Sequence, residues 1–94
     1  MAPEVVKDEP SDFKSDIWSL GVILYALIGS GVPFSGRDRD TTAHNIINQE
    51  LSFDRSVWQT VSKECKDLLR KMLTKDQDER ISINEVVNHT WFAN

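Results

Sequence analysis

Residues Asp16-Ile17-Trp18-Ser19-Leu20-Gly21-Val22-Ile23-Leu24-Tyr25-Ala26-Leu27-Ile28 constrain the fold more than any other stretch, because an almost wholly apolar run opens there with a carboxylate. A surface helix carries a single apolar stripe, whereas Leu20 to Ile28 are apolar all the way round, as expected of a helix surrounded by protein. The chain is thus expected to be built around a buried axle.

The remaining helices must cover it with few residues. A chain of 94 residues is one domain at most, and at this size folding buries only about 60 to 65% of the unfolded surface. With 39% hydrophobic and 28% charged residues, the composition is that of an ordinary globular domain and not of a disordered one. The net charge of −4 comes with no stripe of Lys and Arg, which argues against nucleic acid as a partner. Cys65 is the only cysteine, so no intrachain disulfide can form and a reducing, intracellular compartment is the simpler expectation. No basic segment leads into an apolar one at the N-terminus, and the longest apolar run is too short to span a bilayer, so no membrane partner is expected.

Local signals place the elements. Pro3-Glu4-Val5-Val6 suits one short helical turn with Pro near its start, and Lys7 to Lys14, containing Pro10, reads as a loop. Ser15 or Asp16 is suited to cap the apolar helix, which Gly29, Ser30 and Gly31 end. Val32 to Arg39 is loop, followed by a helix from about Asp40 to Gln49 with Ala43, Ile46 and Ile47 on one side. Leu51 and Phe53 anchor an extended connection. Ser62 then caps a helix over Lys63 to Leu73, where Cys65, Leu68, Leu69, Met72 and Leu73 form an i, i+3, i+4, i+7, i+8 stripe. Ser82-Ile83-Asn84-Glu85 spells a capping box for a last helix running to about His89. No segment alternates with period two, so the fold class is all-α.

Several landmarks then fall in one order: Ala2-Pro3-Glu4, the pattern D-x-W-x-x-G at Asp16, Trp18 and Gly21, Pro33-Phe34 after the apolar helix, Arg80, and His89-Thr90-Trp91-Phe92. Together they resemble the C-terminal part of the large lobe of eukaryotic protein kinases, from its A-P-E motif onward. The resemblance implies an all-α C-terminal helical subdomain with a short helix, a central buried helix and three further helices, residues 1–94 forming one partial kinase domain. It implies a buried ion pair between Glu4 and Arg80, a brace on the catalytic loop from Asp16, and a substrate-side wall shaped by Ala2 and Pro3. The helix from Asp40 to Gln49 would offer a docking surface. The stretch Trp58 to Leu73 and Arg80-Ile81-Ser82 look most like the calcium-dependent and calmodulin-dependent Ser/Thr kinases, from which Ser30, Val32, Gln77 and Thr90 depart. Ala26 stands where some kinases directed to basic substrates place a glutamate, which leaves substrate preference open.

The chemistry of that family is not spelled out in this chain. Phosphoryl transfer in kinases uses a glycine-rich loop, a strand lysine paired with a helix glutamate, a catalytic aspartate and magnesium ligands, and none of these motifs is present. No catalytic, cofactor-binding or metal residue is therefore expected here; Mg-ATP and a protein substrate belong to the intact parent, and the remainder of the kinase domain is the implied partner. Met1 stands where kinases commonly carry a bulky residue before A-P-E, so the chain is expected to begin inside a longer kinase, whether as a fragment, a truncated reading frame or a degenerate gene. The alternative is a non-catalytic kinase remnant acting as a helical interaction module through exposed Val5, Phe13 and Phe34. Trp18, Trp58 and Trp91 lie beside apolar residues and are expected to pack in the core. His44 and His89 lack partners at metal-ligand spacing. Asp76-Gln77-Asp78 begins like a calcium loop but continues with Ile81 and Val87 where Gly and Glu are needed.

Overall fold

A computed structural model of the chain describes residues 1–9 and 13–92, and Pro10 of the expected loop lies outside them. Among the described residues five α-helices follow in order: α1 (Pro3–Val6), α2 (Lys14–Gly29), α3 (Arg39–Asn48), α4 (Lys63–Met72) and α5 (Ile83–Val87), with 3-10 turns at Ser56–Thr60 and Thr90–Phe92. No β-strand occurs among the described residues, and no helix there is long and apolar enough to cross a membrane.

Helix α2 is the spine, and it is covered on one side. Ile17, Trp18, Gly21, Tyr25 and Gly29 are buried along one side, while Leu20, Ile23 and Leu27 on the opposite side are 46%, 56% and 76% exposed. The expectation of an axle surrounded by protein is thereby corrected. The cause is thickness: covering α2 on both sides needs three helix layers, which at about 8–10 Å between axes do not fit across the shortest dimension of a molecule measuring 39 × 30 × 17 Å. Where α2 meets α4 the approach is close, since a Cβ on Gly21 would stand 3.0 Å from Cβ of Met72.

The start of α2 also differs from expectation. Phe13 occupies the cap position without a side-chain hydrogen bond, while Ser15 and Asp16 lie inside the first turn. Ser15 is not a cap because its hydroxyl is committed elsewhere, to the carboxylate of Glu4. At the other end Ser30 takes a left-handed conformation, φ 57°, and its N–H bonds the carbonyl of Ala26. This is the position glycine favours, because a Cβ is strained there.

The amphipathic helix α4 begins where Ser62 accepts the N–H of Cys65 at 3.1 Å, and its whole stripe is buried, from Cys65 to Leu73. Asp38 caps α3 through the N–H of Thr41 at 2.8 Å. The capping box of α5 forms reciprocally, Ser82 Oγ accepting from Glu85 and Glu85 Oε1 accepting from Ser82. That helix ends at Val87, short of His89, because the chain turns into the 3-10 segment with the His89 ring engaged in bonds of its own.

Two hydrophobic clusters meet around α2. One joins Ala2, Trp18, Tyr25, Phe34, Trp58, Cys65, Leu69 and Leu73; the other joins Ile17, Leu68, Met72, Ile81 and Val86; Trp91, partly buried, packs against both. Tyr25, Phe53 and Trp58 form an aromatic knot with ring centroids 4.6 to 5.8 Å apart, and Gly29 gives Trp58 its seat. Phe34, expected to be exposed, is buried instead, because it stacks on Trp18 at 5.8 Å and 12° with Lys75 Nζ 4.0 Å from its centroid. A flat indole and a cation give a loop aromatic a defined site.

Candidate functional site

The first turn of the chain, the start of α2 and the loop after α4 converge at the base of the molecule, on Arg80. Its guanidinium is 1% exposed and has five N–H donors, and each meets an acceptor. Nη1 donates to Glu4 Oε2 at 2.8 Å and to the Lys14 carbonyl at 2.8 Å. Nη2 donates to Glu4 Oε1 at 2.8 Å and to the Lys75 carbonyl at 3.2 Å. Nε donates to the Thr74 carbonyl at 2.7 Å. Glu4 and Arg80, 76 residues apart in sequence, thus form a buried bidentate pair, the strong and geometrically specific kind.

Glu4 is satisfied as fully. Its Oε2 also accepts the Ser15 hydroxyl at 2.6 Å. The Arg80 hydrogen bonds hold its carboxyl well below the usual range, from 4.5 down to about 2; burial opposes this and Ser15 assists it. Lys14 closes the assembly from outside, its Nζ donating to the carbonyls of Arg80 at 2.6 Å and Gln77 at 3.2 Å. A buried ion pair repays its desolvation only when the remaining donors and acceptors are matched, and here they are.

The other residues singled out in the sequence make none of these bonds. Ala2 and Pro3, at the N-terminal end of α1, are buried, Ala2 within the core. Asp16 lies exposed in the first turn of α2, where the helix dipole favours a carboxylate. It borders an apolar groove lined by Phe13, Ile17, Leu20 and Ile83.

Sequence reasoning passed over Lys14, Ser15 and Lys75 as site members, and it treated His89 as a lone histidine. Ser15 and Lys14 flank Asp16 in sequence but find their partners through space. His89 Nε2 lies 2.7 Å from Asp67, which stands 22 residues earlier on α4, so no local pattern announces the pair.

Each of the four glycines sits close to other parts of the chain. A Cβ would stand 2.4 Å from Trp58 at Gly29, 2.4 Å from Arg55 at Gly31, 2.6 Å from Thr41 at Gly36 and 3.0 Å from Met72 at Gly21. Among the described residues no three His, Cys, Asp or Glu side chains converge to hold a metal ion.

Residues 1–92 match the protein kinase domain family. The chain is 44% identical over 91 residues to serine/threonine-protein kinase PEPKR2 of Arabidopsis thaliana, covering 97% of this chain and 19% of that protein. It is 39% identical to myosin light chain kinase 2, skeletal/cardiac muscle, of Mus musculus, covering all of this chain and 15% of that protein. It is 44% identical to calcium-dependent protein kinase 32 of Arabidopsis thaliana, over 100% of this chain and 17% of that protein. Among solved structures it superposes on the twitchin kinase region from C. elegans with a TM-score of 0.92 at 34% identity, covering 97% of this chain and 16% of that one. It therefore spans less than a fifth of the length of each of these relatives, and the likeness runs across several kinase groups without singling one out. The chain belongs to the protein kinase domain family and, at the family level, to the Ser/Thr protein kinases, which are ATP-dependent phosphotransferases.

Proposed function

We propose that residues 1–94 are the anchoring end of a Ser/Thr kinase large lobe, one partial domain whose parent transfers the ATP γ-phosphate to protein Ser or Thr hydroxyls. The observation that carries this reading is the five-bond guanidinium of Arg80, which ties Glu4, beside Ala2 and Pro3, to the loop after α4. Ala2 and Pro3 then shape the substrate-side wall from beneath, held in register by a charge pair that cannot slide without leaving buried charge unmatched. Asp16 braces the catalytic loop of the parent by accepting backbone N–H bonds at its carboxylate, a charge-assisted interaction. Mg-ATP is bound by parts of the kinase domain whose motifs this sequence does not contain, and those parts, with the protein substrate, are its partners.

The membership is best assigned to the calcium-dependent and calmodulin-dependent group. Support comes from the stretch Trp58 to Leu73 and from a calcium-dependent protein kinase among the relatives. An intracellular setting accords with a single, buried, free cysteine.

Nucleotide titration tests the division of labour. The 94-residue chain is expected to show no saturable binding of fluorescent Mg-ATP, whereas a protein carrying this sequence behind a complete N-terminal lobe is expected to phosphorylate Ser/Thr peptides. Specific nucleotide binding by the chain alone would contradict the reading. The exposed row Phe13, Leu20, Ile23 and Leu27 favours a second reading, a stand-alone helical binding module. A monomeric chain that melts cooperatively supports that module; aggregation supports the severed lobe.

A further inference from the structure

The bonds of His89 are specific about its protonation. The backbone N–H of Trp91 can only donate, and it points at His89 Nδ1 from 3.1 Å. Nδ1 must therefore offer its lone pair, which leaves the ring proton on Nε2, and Nε2 lies 2.7 Å from Asp67 Oδ2. Both ring nitrogens are used, and only in the neutral Nε2–H form. A second proton on Nδ1 would face the Trp91 N–H directly.

We propose that His89 is a proton-operated latch: neutral, it fastens the Thr90–Phe92 turn to α4 through both ring nitrogens, and protonated, it keeps Asp67 while releasing the Trp91 amide. The ring is buried, 8% exposed, in a recess whose other charged groups can be named. From α4 come Asp67 and Lys71, already paired at 3.0 Å; from α5 comes Glu85, held by the Ser82 N–H; from the preceding loop comes Glu79. The His89 hydrogen bond, with Lys71 second, holds the Asp67 carboxyl below its usual range. Protonation therefore strengthens one bond of the latch and abolishes the other.

The Arg80 hydrogen bonds hold the Glu4 carboxyl well below its usual range, so acidification from pH 8 to 5 leaves the Arg80 knot charged. This device does not depend on the kinase reading.

The test is NMR of the full chain. At pH 8 the His89 ring is expected as the Nε2–H tautomer, assigned separately from His44, with a protected Trp91 amide. Between pH 8 and 5 the Trp91 protection factor is expected to fall roughly tenfold while those of Leu69 and Met72 hold. His89→Asn, whose side-chain oxygen can accept the N–H two residues on, is expected to keep Trp91 protected at both pH values. An Nδ1–H tautomer at pH 8, a flat Trp91 profile in the unmodified chain, or a parallel fall at Leu69 overturns the proposal.

Discussion

At the base of the molecule Arg80 is 1% exposed with every donor matched, whereas along the outer side of α2 Phe13, Leu20, Ile23 and Leu27 are 86%, 46%, 56% and 76% exposed. Both regions border the same helix, and their chemistry is inverted: the charged residues are sealed and the apolar ones are open. An ion pair with its own hydrogen-bond partners can be complete within a short chain, because completion is a matter of counting donors. An apolar face needs area, and a body 17 Å thick has area for one side only. The base thus behaves as finished structure and the outer row as half of a contact.

Breaking the finished side has the largest effect. Arg80→Ala leaves Glu4 as an uncompensated buried charge and strips the carbonyls of Lys14, Thr74 and Lys75 of a donor. The expected loss is about 3–5 kcal/mol, most of what a domain of this size has. Urea unfolding should show a collapsed or absent transition, and a loss below about 1 kcal/mol would mean that the base is not a closed unit.

Acid probes the same knot without mutation. The Glu4 carboxyl is depressed to about 2 from an unfolded value near 4.5, so its contribution is full above the higher value and disappears as pH falls through the lower one. Of the order of 3 kcal/mol is expected to vanish between pH 5 and 2, seen as a falling urea midpoint. Glu4→Gln starts less stable and should show a much flatter acid limb.

The buried side of α2 should resist even one added carbon. Gly29→Ala places a Cβ 2.4 Å from Cζ2 of Trp58, which is fully buried among Tyr25 and Phe53, so neither ring nor helix can yield freely. Overpacking of this kind costs about 1–3 kcal/mol, and thermal unfolding with Trp fluorescence reads it directly.

How much of this was legible beforehand follows the range of each interaction. The α4 stripe, the Ser62 cap and the Ser82–Glu85 box are patterns within eight residues, and they stand in the structure where they stand in the sequence. Glu4 and Arg80 carry no mutual signal across 76 residues, and only the resemblance joined them. Ser15 read as a cap because a hydroxyl beside an apolar run usually is one; its carboxylate partner arrives from another turn of chain. Phe34 read as exposed because it sits among Pro33, Ser35 and Gly36, and only the ring of Trp18 beneath it decides otherwise. Apolar character around all of α2 was visible, but which side this chain covers depends on how many helices remain to cover it.

The smallest expected effect sharpens the comparison most. Leu27, 76% exposed on the outer row, has little burial to lose, and Gln has nearly the helix propensity of Leu. Leu27→Gln should therefore change unfolding stability by no more than about 0.5 kcal/mol, two residues from a glycine where one methyl group is costly. The same change should weaken any concentration-dependent association in sedimentation velocity, because it interrupts the exposed apolar row. A loss above 2 kcal/mol at Leu27 would mean that the outer side is covered in solution, by a second copy or by a rearranged chain, and that the two sides of α2 are not as unequal as their exposure makes them.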